Sequence, residues 1–201
     1  MPQPRVLADH DSLVLLVDMQ TGLLPAVADS EKVVARAQRL LSGARGLGIP
    51  TLATEHCADK IGSTDTRLAS LVDLVIRKHH FDATREGDFQ RQLPVGRHNI
   101  LVLGTEAHVC VLQTALGLAS SGYTPWLVAD CIGSRYERDR DTAIQRWLAS
   151  GGNVLSSEMA LFEWLGSARH PQFRDVLGLV KQDPDVPVPE QAPTLDMPII
   201  P

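Results

Sequence analysis

Three side chains in this sequence have the types and positions to form one nucleophilic set. Cys110 follows the segment Ile100-Leu101-Val102-Leu103-Gly104-Thr105-Glu106-Ala107-His108-Val109 and opens a long helix-period stretch without proline. An apolar run too short for a helix, then a glycine, then a helical pattern reads as strand, tight turn and helix. That puts Cys110 in the first helical turn, where free N–H groups and the positive end of the dipole stabilise a thiolate. A cysteine so placed is expected to have a lowered pKa and to act as a nucleophile; the competing reading is a small buried apolar residue. Asp18 directly follows the run Leu13-Val14-Leu15-Leu16-Val17, and Lys78 follows Leu74-Val75-Ile76-Arg77. Singly, an aspartate after a strand is usually a turn cap and a lysine a solvated charge. Together they supply a nucleophile, a carboxylate to take its proton and an ammonium to hold both anions. Gly104 and the following turn offer backbone N–H donors for an oxyanion.

These residues need a scaffold, and the pattern around them supplies one. Short apolar strands are expected at 13–17, 50–54, 74–76, 99–103, 125–130 and 153–155. Helices are expected at 31–45 with Ser30 as cap, 87–93, 108–120, 138–150, from Ser157, and 171–181. Loop with a helical turn fills 61–70. Strands alternating with helices predict an α/β fold with a parallel sheet covered on both faces and right-handed crossovers. In such sheets ligands bind outside the carboxyl ends of the strands, where strand order reverses. Asp18, Lys78 and Cys110 all follow strand ends.

Composition narrows the function classes. The chain has 201 residues, 44% hydrophobic and 21% charged, as expected of one globular domain. Formal net charge is -5 and no dense Lys/Arg block occurs, so a nucleic-acid partner is not expected. No apolar run approaches the roughly 20 residues of a membrane span, and no signal-peptide core is found near the start. Three cysteines, Cys57, Cys110 and Cys131, form no close pair, so neither a disulfide framework nor a structural zinc site is expected, and the cytoplasm is the natural compartment. Cys131 reads as packing and Cys57 as a loop thiol. Residues 1–181 read as one domain and 182–201 as a tail. That tail carries six of the thirteen prolines and is expected to lie along this subunit or a neighbour. Trp126, Trp147, Trp164 and the tail offer more apolar material than a lone domain needs to hide, so at least a dimer is expected.

The combination Val17-Asp18-Met19-Gln20, Lys78, and Gly104-Thr105-Glu106-Ala107-His108-Val109-Cys110-Val111 resembles the isochorismatase-like cysteine hydrolases. Leu112-Gln113-Thr114-Ala115-Leu116, Gly122-Tyr123 and Val128-Ala129-Asp130 extend the likeness. His170-Pro171-Gln172-Phe173 looks like the isochorismatase domain-containing subgroup. The resemblance covers about Leu13 to Lys181. It implies a six-stranded, three-layer α/β/α Rossmann-like fold and an Asp18–Lys78–Cys110 triad. It also implies a cis peptide between Thr105 and Glu106, a change that costs about 3–4 kcal/mol outside proline. Such a peptide would turn the Glu106 N–H toward substrate beside that of Cys110, as an oxyanion hole. Relatives with this triad include nicotinamidases and N-carbamoylsarcosine amidases, which cleave C–N bonds through a thioester. Isochorismatases proper hydrolyse a vinyl ether and commonly lack the cysteine. The resemblance therefore implies hydrolysis of a small amide or carbamoyl substrate, with vinyl-ether hydrolysis or a catalytically idle oligomeric interaction protein as the alternatives. Nicotinamidases hold a metal with Asp-x-His after strand two. This chain has Glu55-His56-Cys57 there, and no tight motif joins Glu55 and His56 to His79 and His80. No metal or cofactor is expected. Gln20, His56 and Phe81 are expected to line the substrate pocket, with a core aromatic as the competing role for Phe81, and His108 to pack beneath the turn.

Overall fold

The computed structural model describes residues 6–182. Six strands, β1 Ser12–Val17, β2 Thr51–His56, β3 Leu74–Lys78, β4 Asn99–Thr105, β5 Thr124–Gly133 and β6 Asn153–Leu155, form one parallel sheet. Their order is β3-β2-β1-β4-β5-β6, so strand order reverses between β1 and β4. Among the described residues seven α-helices accompany them: α1 Ser30–Gly46, α2 Ala58–Ile61, α3 Thr66–Ala69, α4 Leu112–Ser120, α5 Glu137–Ala149, α6 Ser157–Leu165 and α7 Phe173–Val180.

The continuous apolar run of β1 is explained by two cores. Val14 and Leu16 pack with α1 and α6 on one face, while Leu13, Leu15 and Val17 pack with α4 and α5 on the other. Every residue of β1 is buried. The pleat alternates sides, so a strand between two helical layers must be apolar throughout. The three-layer α/β/α architecture with a six-stranded parallel sheet is thus the one the sequence pattern predicts.

Local details differ. Asp29, at φ 51°, precedes α1, and Ser30 is its first residue rather than its cap. The helix expected at 87–93 is a single 3-10 turn, Gln90–Gln92. The regular helix expected from His108 begins instead with a π-helical turn, Ala107–Val111. Trp126, Trp147 and Trp164 are 7%, 3% and 3% exposed, buried within the domain itself. Their indoles bond Asn99, the Asn153 carbonyl and Ser12, so they give no reason to expect a second subunit. Apart from Gln182, the proline-rich tail lies outside the described residues. No helix among the described residues is long and apolar enough to cross a membrane.

Candidate active site

Asp18 stands one residue beyond β1, in the left-handed conformation at φ 51° and fully buried. Non-glycine residues rarely adopt that geometry, and when they do the surroundings must hold it. Here the Asp18 N–H donates to the Thr54 carbonyl at 3.1 Å, and Thr105 Oγ1 donates to the Asp18 carbonyl at 2.5 Å. The carboxylate is fixed as well. Oδ1 accepts from Thr54 Oγ1 at 2.7 Å, and Oδ2 lies 2.6 Å from Lys78 Nζ. The Lys78 contact is an ion pair off hydrogen-bond alignment, which leaves Oδ2 without an aligned donor.

Lys78 ends β3 and is 1% exposed, not a surface charge. Its ammonium also donates to the carbonyls of His80 at 3.2 Å and Phe81 at 3.4 Å. Two carbonyl acceptors and the facing carboxylate charge together compensate the buried ammonium. The loop carrying those carbonyls is clamped by Glu86. Its Oε1 accepts from the His79 and His80 N–H groups at 2.7 and 2.9 Å and lies 2.8 Å from His80 Nδ1. These bonds, the backbone N–H of His80 foremost, hold the Glu86 carboxyl down to about 2. Nothing local marks Glu86 in the sequence. Thr54, at the carboxyl end of the strand next to β1, had a legible position but no distinguishing type.

Cys110 lies in the π-helical turn, 5% exposed, with its thiol near enough to Asp18 and Lys78 for both charges to act on it. Turns of this kind are frequent at functional sites. The expected low thiol pKa is overturned. Burial first, then the Asp18 carboxylate, push the Cys110 thiol up to about 12, with Lys78 opposing. The resting group is therefore a thiol. With Cys57 and Cys131 replaced by serine, the ultraviolet absorbance of a thiolate is expected to stay flat below about pH 10, where a pKa near 12 leaves roughly one thiolate in a hundred. Thiolate absorbance already present at pH 7 would contradict this.

The cis peptide implied at Thr105–Glu106 is absent, because every described peptide bond is trans. Gly104, within β4, has φ 141°, and β4 shifts register against β5 between Val102 and Gly104. A Cβ on Gly104 would sit 2.0 Å from the Val17 carbonyl oxygen, so only glycine permits β4 to approach β1 there. Gly104→Ala is expected to lower stability by about 2–4 kcal/mol, read as an earlier urea midpoint; an unchanged midpoint would show that the strands part cheaply.

Other expected site residues divide. Gln20 is fully buried, and its amide is spent on the His56 and Gly62 carbonyls and the His56 N–H. It braces the 56–64 loop from behind rather than facing substrate. His56 is half-buried and tilts against Phe81, with ring centroids 5.3 Å apart. Phe81 is 50% exposed, a rim aromatic and not a core one. Glu106 turns its side chain toward the end of β5, accepting from the Arg135 N–H at 3.3 Å, and His108 Nδ1 lies 3.0 Å from Ser134 Oγ. Glu55 is engaged by Thr64, and Cys131 is a fully buried thiol raised by desolvation. Among the described residues no three His, Cys, Asp or Glu side chains gather as metal ligands would.

The isochorismatase domain model matches residues 12–159, a span that holds every residue of this site. The chain belongs to the isochorismatase-like hydrolase family. Isochorismatase domain-containing protein 1 of Danio rerio is 32% identical over 87% of this chain and 62% of that protein, so the chain spans under two thirds of that relative's length. Two solved structures share the isochorismatase fold closely. The MAR1 ribonuclease of Caenorhabditis elegans has TM-score 0.84 and 25% identity, covering 94% of this chain and 100% of that one. YcaC of Pseudomonas aeruginosa, solved with hexane-2,5-diol and covalent acrylamide, has TM-score 0.82 and 25% identity over 88% and 92% of the two chains.

Proposed function

We propose that this isochorismatase domain is a cysteine hydrolase cleaving the C–N bond of a small amide or carbamoyl substrate through a thioester. One observation carries the reading: a fully buried carboxylate ion-paired at 2.6 Å to a buried ammonium, both charges acting on a nearly buried thiol. Because the resting thiol is protonated, proton transfer and attack belong to one step. Asp18 takes the thiol proton as Cys110 Sγ bonds to the carbonyl carbon. The developing oxyanion is met by the Cys110 N–H in the π-helical turn, the Glu106 N–H losing the orientation that a cis bond would have given it, and Lys78 offsets the negative charge gathered nearby. Asp18 returns its proton to the leaving nitrogen, and the C–N bond breaks. Water then attacks the thioester with Asp18 again as base, releasing the acid and restoring the thiol.

The ribonuclease name of the worm neighbour is not carried over. A chain of formal charge -5 with a nearly closed site suits a polyanionic backbone poorly. Vinyl-ether hydrolysis would release pyruvate where amide hydrolysis releases ammonia. A panel of amides and carbamoyl compounds, assayed for both products beside Cys110→Ala, therefore tests the reading; no ammonia from any of them would defeat it.

A homo-oligomer is also part of this proposal. β3 is an open sheet edge, and Leu74 and Val75 on it are 40% and 41% exposed. Light scattering is expected to return at least twice the 21.9 kDa of one chain; the single-chain mass at micromolar concentration would remove it.

A further inference from the structure

His56 and Phe81 stand beside the triad but take no part in the proposed proton transfers. His56 ends β2 and pairs in register with Lys78, so the pleat points both side chains to one face of the sheet. Its two ring nitrogens have different surroundings. Nε2 lies 3.6 Å from Cys57 Sγ, whereas Nδ1 is buried without a hydrogen-bond partner. Buried polar atoms are normally paired, and one left open beside a reactive centre suits a ligand. Burial, followed by the Lys78 ammonium, lowers the His56 pKa, so the ring is neutral at pH 7 and carries one N–H. With that proton on Nε2, toward the Cys57 sulfur, Nδ1 is an acceptor. Phe81 packs on the same ring and keeps half its surface open. Charge restricts the ligand further. The Lys78 charge is already offset by the Asp18 carboxylate at 2.6 Å and by the His80 and Phe81 carbonyls, so it adds little net attraction for a carboxylate on the substrate.

We infer that His56 and Phe81 form a subsite selecting uncharged primary carboxamides: the amide NH2 donates to His56 Nδ1, and a flat apolar substituent lies against Phe81. This rests on the amide reading above and names its substrate class. A carboxylate of the same shape offers Nδ1 no proton and is rejected.

Alkylation of Cys110 by iodoacetamide and by iodoacetate tests the subsite apart from hydrolysis. In both reactions sulfur bonds to the methylene carbon, the C–I bond breaks, iodide leaves and the thiol proton passes to Asp18. Only the carboxamide or carboxylate differs. Peptide mass spectrometry resolves Cys110 from Cys57 and Cys131, and glutathione supplies the intrinsic rate ratio. The iodoacetamide preference at Cys110 is expected to exceed that of glutathione by about tenfold or more. His56→Leu should bring it to within roughly twofold of glutathione, while His56→Asn, which retains an acceptor, should keep most of it. 2-Iodo-2-phenylacetamide, which keeps the primary amide and carries the flat apolar group on carbon, should gain more over iodoacetamide at Cys110 than at glutathione, and Phe81→Ala should abolish that excess. A wild-type ratio equal to that of glutathione, or a preference untouched by His56→Leu, overturns the subsite. Should His56→Leu fail to fold, the wild-type ratio and the Phe81→Ala comparison decide. Preference without ammonia release from any amide would defeat the hydrolase reading and leave the subsite standing. Ammonia release without preference would defeat the subsite alone.

Discussion

Cys110→Ala is expected to reduce amide turnover by at least about 10⁴-fold while leaving the fold intact. In the proposed mechanism the sulfur is the only group that bonds to the substrate carbon. Without it, the residual rate comes from binding and oxyanion contacts alone. The thiol is 5% exposed and neutral at rest, so alanine removes a small, uncharged volume and leaves Asp18 and Lys78 paired. Stability should change by only about 1–2 kcal/mol, the usual scale for a small cavity. Both halves are measurable, by ammonia release and by urea unfolding. Turnover within tenfold of wild type would take the cysteine out of the chemistry. Cys110→Ser keeps the size but presents a much weaker acid to Asp18, so it should be nearly as inactive.

Lys78→Ala is expected to be the most destabilising single change at this site, at about 3–5 kcal/mol near pH 7. A lysine read only from the sequence would sit at the sheet's edge, and its loss would spare the fold. The lysine in the structure is 1% exposed and pairs with a fully buried carboxylate at 2.6 Å. Its removal strands the Asp18 charge in an apolar surrounding and frees the His80 and Phe81 carbonyls. In that variant the stranded carboxylate favours its protonated form when folded. The destabilisation should therefore shrink as pH falls from 7 toward 5, because protonation of Asp18 relieves it. Asp18→Asn combined with Lys78→Met should recover most of the lost stability, since it removes both charges, and should remain inactive. Urea midpoints at two pH values, with and without Asp18→Asn, separate these effects. If Lys78→Ala melts like wild type, the ion pair contributes nothing to the fold. Arginine should not restore activity: a planar fork cannot take the place of a compact ammonium that meets three acceptors in a closed site.

What was legible in the sequence was local. The apolar runs of β1 and β4 are buried on both faces, so they are uninterrupted in the chain and readable without knowledge of their partners. Asp18 and Cys110 follow such runs, Lys78 closes the short, mostly exposed edge strand β3, and a parallel sheet brings its carboxyl ends to one edge whatever the loops do. Gly104 was legible for a similar reason, as a break in an apolar run, although only the approach of Val17 explains why no other residue fits.

The rest depended on contacts between residues far apart in the chain. Whether Lys78 is a surface charge or a buried one is decided by the 79–86 loop folding back and Glu86 clamping it, eight residues after the strand ends. Whether Gln20 faces substrate or braces a loop is decided by backbone groups at 56 and 62. The three tryptophans look surplus in sequence because the indole partners that bury them are spread from Ser12 to Asn153. Most consequential is the state of Cys110. Its place at the start of a helical segment argues for a thiolate, but desolvation and the facing Asp18 carboxylate outweigh the turn and Lys78, and the thiol keeps its proton. Sequence supplied the three reactive side chains because strand ends are written locally. Only the tertiary structure could assign their charges, because burial and the distance between Asp18 and Cys110 are properties of the packed sheet.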